Sequence, residues 1–524
     1  MGGTSGEEAI DLYTRETMSK QLPNAQRDVE ALVLPSKCHD TGRFSLRTLV
    51  QFIATVGLLA TGYQYIWPQS LAPSDGEVIT KEQRLEEFQR CAIKNLLDTG
   101  LPFLEKASPI AVPDFQERRD RLAEALVAED VDAFVVEPGY TFKYYGNVSQ
   151  PEWEVWEPEE RPFLMVVRPV LDQATSQVRA NTTFLCPSFE AERARLLDMP
   201  FTEEIQIVPW EEHWDPYSTL QQSDVFLGVS RVPRLMVDEE MRDFIQRGLG
   251  SAGFEVVGLR GQVEEVRQIK TAHEVEILRA VNTGTVEAVR EMRKCESKGN
   301  SARWFNDSSG LYPGLTENEI ATVLDNALRA AGMEPFFDIV LFDENASNPH
   351  GGTDGEKVLE PETFVLIDVG AHLYGYSSDI CRTFFPPFLE KPSKSAPLSP
   401  NLKEKLKVWD VVFEAQTQSI HHMKENLTAA SVDIAARDII TKAGYGGTFT
   451  HRVGHGIGIK AHESPYLNKG NFNTLLKTGM AFTSEPGIYL VDKFGVRHED
   501  ILLVQGNEEP QLLTGSRAQG PWDP

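Results

Sequence analysis

The sequence predicts an α+β protein in which an α/β region precedes a larger region made of two similar halves. Three observations predict it. Between positions 112 and 262, helical and apolar strand-like stretches alternate, as in FQERRDRLAEALVAED followed by DAFVVEP. Between 263 and 510, an ordered series of helix, glycine, histidine, acid and acid occurs twice. The 524 residues are 41% apolar and 25% charged, enough for a sizeable core spread over about three folding units.

Charge narrows the function classes. Asp and Glu total 78 against 51 Lys and Arg, a formal charge of −27. A surface this acidic repels phosphate, which excludes nucleic acid as a partner. Five cysteines at 38, 91, 186, 295 and 381 are too few for a disulfide framework, and no CxxC pair marks a thiolate zinc site. Isolated pairs stay open, with one thiol left over.

Taken in order, residues 1–45 are polar and mixed in charge and read as a disordered tail. Within 46–68 lies an uncharged run, LVQFIATVGLLATGYQYIW (49–67), long enough to span a bilayer. Lys37, Arg43 and Arg47 precede it, and Tyr63, Tyr65 and Trp67 stand at its far end. This predicts a single-pass signal anchor with the N-terminus in the cytoplasm and the rest of the chain in a lumen or outside the cell. Sequons at Asn147, Asn181, Asn306, Asn345 and Asn426, all beyond the run, predict a glycoprotein. Gln51, Thr55, Thr61 and Gln64 dilute the run, so a soluble amphipathic helix in a cytoplasmic protein is the alternative.

Residues 69–111 read as a linker with one charged helix near 81–98. In 112–262, apolar strands are expected around 132–138, 163–168, 183–186 and 234–237. The acidic aromatic stretch PEWEVWEPEERP (151–162) reads as a solvated loop anchored by two Trp rings. No nucleophile elbow or phosphate loop is present. One long amphipathic helix opens the region 263–510, and 511–524 forms a C-terminal tail.

The internal echo is specific. Leu315-Thr316 and Leu427-Thr428 each begin a helix that ends 17 positions after the Leu, at Gly332 and Gly444. Eighteen positions after each Gly comes a histidine, His350 and then His462. A strand bearing Asp368 or Glu485 follows, and a second acid returns 11 or 14 positions later, at Asp379 or Glu499. Asp368 is flanked by Leu366, Ile367 and Val369, a setting in which a carboxylate is costly unless it meets a cation. His455 lies between glycines in RVGHGIGIKAHESP. Four carboxylates and one imidazole on strands suit two hard or borderline divalent ions, which share bridging acids and activate water. Asp500 follows Glu499 and points to the opposite face of its strand, outside this set.

The phrases NASNPHG (345–351), LIDVGAHLYGYSSDICRTF (366–384), GHGIGIKAHESP (454–465), SEPGIYL (484–490) and GVRHED (495–500) resemble the creatinase/aminopeptidase P superfamily of pita-bread metallopeptidases. The resemblance covers 263–510, and 115–262 more weakly resembles the family's creatinase-type N-terminal domain. It implies a pita-bread catalytic domain, with two pseudo-symmetric halves around a curved antiparallel sheet. It implies metal ligation by Asp368, Asp379, His455, Glu485 and Glu499, with Asp379 and Glu499 bridging and Glu485 also moving the water proton. His350 and His462 would contact the substrate carbonyl and the intermediate, and Arg497 would buttress the site. The implied cofactor is a pair of divalent ions, manganese first, with zinc, cobalt and iron as alternatives.

The implied activity is hydrolysis of X-Pro peptide bonds by a metal-bridging hydroxide, as a prolidase or an X-Pro aminopeptidase. The runner-up is a small-molecule hydrolase or lyase on the same fold and metals. A non-catalytic binding module comes third. A homodimer is also implied. His498 departs from the pattern, since an apolar residue commonly precedes the bridging Glu.

Overall fold

In the computed structural model the described residues are 80–154, 156–157, 159–295, 311–393 and 395–524. A six-stranded mixed sheet forms the first half of this region. Its order is Gln206–Trp210, Val178–Pro187, Leu164–Leu171, Ala133–Val136, Arg234–Val237 and Glu255–Gly258. Ala133–Val136 is buried on both faces, which explains its uninterrupted apolar run. The two outermost strands carry no such run. Gln206–Trp210 includes Pro209, an imino acid tolerated at a sheet edge. Of the two Trp rings in the acidic loop, Trp153 is buried, but Trp156 is 83% exposed among the described residues.

The expected long helix at 263 is two helices, Gly261–Gln268 and Ala272–Arg293. The break has a local cause. Thr271 accepts from the Glu274 amide while Glu274 caps Thr271 in return, so a new helix starts there. Lys270 is meanwhile drawn to buried Glu463. Helix Lys81–Asp98 starts with a capping box at Thr80 and packs Phe88, Ala92 and Leu96 against Ala272–Arg293 and Glu317–Ala330. Cys91 and Cys295 form a disulfide that ties it there. Cys186 and Cys381 are free and buried, and Cys38 lies outside the described residues.

The sequence echo is structural. Thr316 and Thr428 N-cap helices Glu317–Ala330 and Ala429–Lys442. Gly332 and Gly444 end them at φ +81° and +95°, where a side chain would be strained. Leu359 donates its amide to the Leu315 carbonyl at 2.8 Å, and Leu476 does the same to Leu427 at 2.9 Å. Each half then contributes antiparallel strands. The first sheet orders Ile380–Phe384, Val365–Leu373 and Glu334–Phe342. The second orders Glu463–Leu467, Gly454–Gly456, Ala481–Ser484, Asp500–Leu503 and Gln511–Leu512, beside the ribbon Gly487–Leu490 with Phe494–Arg497. The α/β region docks through buried Arg118, which donates to the Tyr376 hydroxyl, itself bonded to Glu274 at 2.9 Å.

One set of expectations is corrected. Among the described residues no helix is long and apolar enough to cross a membrane, and the stretch 49–67 lies outside them, as does the tail 1–45. The single-pass anchor, and the luminal or external placement built on it, therefore have no support. They rested on a run of uncharged residues diluted by four polar side chains, on its flanking charges and aromatic end, and on the sequons beyond it. The glycoprotein reading falls with them. At Asn345 the amide nitrogen that a glycan would take donates to both carboxylate oxygens of Glu317 at 3.0 Å. Asn306 lies outside the described residues.

Candidate metal centre

Strand Val365–Leu373 pairs Asp368 with Cys381 on one side and Ile339 on the other. Apolar Leu366, Ile367 and Val369 bury the strand and leave Asp368 with 7% exposure. Asp379 stands just before strand Ile380–Phe384, its amide donating to the Asn282 side chain at 3.2 Å. His455 is held between two glycines whose backbones crowd their neighbours. A Cβ at Gly454 would meet the Thr483 carbonyl oxygen at 2.2 Å. Glu485 is fixed by its amide bond to the Val453 carbonyl at 2.8 Å, and Glu499 by its amide bond to the Cys381 carbonyl at 3.0 Å.

These five side chains converge. Asp368, Asp379 and Glu499 bring one ligand atom each within 4.8 Å of one another, and so do His455, Glu485 and Glu499, and Asp379, His455 and His462. Asp379, His455 and Glu499 each belong to two of these groups. His455 donates Nδ1–H to the Gly456 carbonyl at 3.1 Å, which leaves the Nε2 lone pair facing inward. That nitrogen lies 3.3 Å from Glu485 Oε1 and 3.5 Å from Asp379 Oδ2.

Four acids outnumber the guanidinium groups near them, Arg497 and Arg452, and the charges show the shortfall. Arg497 binds Asp368 Oδ2, yet Asp368 Oδ1 and Glu499 Oε1 are buried with no hydrogen-bond partner. Burial, then the charges of Asp368 and Glu485, pushes Asp379 well above the usual carboxylate range. Burial, then Asp379 and Glu485, does the same to Glu499. Burial also works on Glu485, but the hydrogen bond and charge of His455 overcome it and hold the carboxyl at about 2. Oxygen and imidazole donors at this spacing, with orphaned carboxylate oxygens and a deficit of positive charge, fit divalent cations.

The remaining predicted residues surround this cluster. His462 sets its ring 4.2 Å from His455, and burial with the His455 charge lowers it to about 4. His350 is exposed in a loop, and its charge reaches Asp368 and His462. Asp500 turns the other way, pairing with Arg382 at 2.6 Å. His498 is neutral and acts as an apolar ring. Both its nitrogens lack partners, burial pushes its pKa far down, and Trp409 packs edge-on at 4.5 Å.

Two neighbours were not singled out from the sequence. His451 stands 3.9 Å from Glu485, and its Nε2 accepts from the Tyr489 hydroxyl at 2.7 Å. Tyr489 in turn accepts from Arg497 at 2.9 Å, so Asp368, Arg497, Tyr489, His451 and Glu485 form one chain of contacts. The available signal was a second histidine four positions before His455 in the same loop.

Comparison with known proteins matches residues 276–506 to the model of metallopeptidase family M24. An uncharacterized peptidase of Schizosaccharomyces pombe is 36% identical over 84% of this chain and 90% of its own length. Among solved structures, a dipeptidase PepE from Mycobacterium ulcerans superposes with TM-score 0.62 and 25% identity over 78% of this chain and 98% of that one. An Xaa-Pro dipeptidase from Bacillus anthracis superposes with TM-score 0.59 and 27% identity over 77% and 98%.

Proposed function

The chain belongs to metallopeptidase family M24, with the pita-bread fold, and from that premise we propose that it hydrolyses X-Pro peptide bonds. The observation that carries the reading is the convergence of Asp368, Asp379, His455, Glu485 and Glu499, with His462 beside them. Those five side chains would hold two divalent ions, manganese first because the site is rich in carboxylates. When bound, the ions supply Lewis acidity at the scissile carbonyl and lower the pKa of water.

The chain's own residues supply the rest. Glu485 stays ionised at neutral pH, the state required to take a proton from attacking water. It then passes that proton to the departing prolyl nitrogen. His462, held neutral at physiological pH, and His350 stabilise the developing oxyanion by hydrogen bonding. Arg497 neutralises one oxygen of Asp368 and, through Tyr489, fixes His451 beside Glu485. The relatives' names support peptidase chemistry, and one structural neighbour is an Xaa-Pro dipeptidase.

The test is hydrolysis by the purified full chain loaded with Mn²⁺. The substrates are X-Pro dipeptides and longer X-Pro-Y peptides, with Glu485→Ala as control. Cleavage of dipeptides alone makes it a prolidase, and release of the first residue from longer peptides makes it an aminopeptidase. No cleavage of either by the metal-loaded chain overturns the reading.

A further inference from the structure

His462 ends the loop 457–462, which joins strand Gly454–Gly456 to strand Glu463–Leu467. Its side chain is 58% exposed, with Asp379 3.9 Å away and the His455 ring 4.2 Å away. An exposed imidazole has many rotamers and little packing to choose among them, so its place is set by the backbone on either side. The catalytic region fixes the loop only at its start. Ser377 donates its amide to the Gly458 carbonyl at 2.9 Å and its hydroxyl to the Ile459 carbonyl at 3.2 Å.

From Ile459 onward the loop is held by the α/β region. Ile459 is buried in that region's core cluster. Lys460 reaches Glu239 at 3.1 Å and Glu240 at 2.7 Å. Both acids stand in the turn after strand Arg234–Val237, where Asp238 accepts the Glu240 amide at 3.2 Å. On the other side of His462, Glu463 is buried against Lys270 and lies 3.2 Å from Arg267. Arg267 also donates to Glu239 at 2.8 Å and to the Thr141 hydroxyl. Lys460, Glu239, Arg267 and Glu463 thus form one closed run of charged contacts that starts and ends on either side of Ala461 and His462. Burial works against ionising Glu239, but Arg267 foremost, with Asp238 and Lys460, holds it at about 2. The Lys460 stem and Arg267 are largely shielded from water, where an ion pair is screened less than at an open surface.

We propose that Lys460 is a positioning residue for catalysis: by binding Glu239 and Glu240 it fixes the backbone before His462, so that the α/β region sets the imidazole against the reacting carbonyl. This rests on the reading that His462 stabilises the oxyanion.

The test uses the full chain with Mn²⁺ and an X-Pro dipeptide, and it has two readouts. Hydrogen exchange reads the loop without substrate. Lys460→Met should speed amide exchange in 457–463 and leave the ribbon Gly487–Leu490 with Phe494–Arg497 as it was. Kinetics reads the consequence. Lys460→Met should lower kcat by about tenfold or more, since a misplacement of about 1 Å can cost that much, with KM moving less and bound Mn²⁺ per chain unchanged. Lys460→Arg should restore most of the loss. In a His462→Ala background Lys460→Met should cost nothing further, whereas a merely structural lysine would give losses that multiply. Glu240→Gln, at a half-exposed carboxylate, should show a smaller loss with the same dependence on His462, and it serves if Lys460→Met does not fold. Unchanged exchange, native kcat beside an impaired His462→Ala, or losses that multiply would each overturn the proposal. Native kcat in His462→Ala with faster exchange in Lys460→Met would overturn the oxyanion reading and the catalytic role of Lys460, leaving the loop contact standing. No cleavage by the native chain would overturn the peptidase reading and this role with it.

Discussion

Glu499 has one carboxylate oxygen that touches no donor, and Asp379 is raised by burial and then by the charges of Asp368 and Glu485. That has a thermodynamic sign. A carboxyl whose folded pKa lies above its unfolded value binds more protons when folded. The metal-free chain therefore gains stability as pH falls from neutral towards the ordinary carboxylate range, and loses it as pH rises through that window. Urea midpoints of the metal-free protein should be higher at mildly acidic than at neutral pH. Glu499→Gln should flatten the slope, and Mn²⁺ should raise the midpoint at neutral pH. An unaltered slope in the variant would show that the Glu499 charge is not what the fold works against. Glu485 gives a kinetic counterpart. Glu485→Ala should lower kcat by about 10²–10⁴-fold with the circular dichroism spectrum intact. Native-level turnover would remove it from proton transfer.

Among the elements, the strand Gly454–Gly456 is the least tolerant. The Thr483 carbonyl that a Cβ on Gly454 would meet is backbone and cannot swing aside. Gly454→Ala should displace His455 and lower Mn²⁺ affinity, at a stability cost of about 1–3 kcal/mol, read by metal titration and calorimetry. Wild-type affinity would mean that this strand does not set the imidazole position. The sequence made the catalytic elements legible because their demands are local. A Thr cap, a positive-φ glycine and an acid within an apolar run can each be read without knowing the partner. Strands Gln206–Trp210 and Glu255–Gly258 escaped because half-buried edges lack a long apolar run. The break at Thr271 was missed because the apolar periodicity of the two helices is continuous across it. The contact of His451 with Glu485 depends on tertiary placement.

Across the molecule, the disulfide Cys91–Cys295 joins positions 204 residues apart and pins the first described helix to the catalytic region. Closing a loop that long restricts the unfolded chain, so Cys295→Ser should lower stability by about 2–5 kcal/mol. Proteolysis should then cut within or beside Lys81–Asp98 first. Equal stability of the variant and the native chain would mean that burial of Phe88, Ala92 and Leu96 alone holds the helix. The assignment of catalytic chemistry, by contrast, depends on the two halves meeting, since neither supplies the donors by itself. Asp368 and Asp379 come from one half and His455, Glu485 and Glu499 from the other. The most direct measurement is therefore metal stoichiometry by mass spectrometry alongside activity, as Mn²⁺ is titrated into the chelated full chain. The account predicts activity that saturates at about two ions per chain and is lost in Asp379→Asn with the fold intact. Full activity in the chelated protein, or a single ion at saturation, would contradict it.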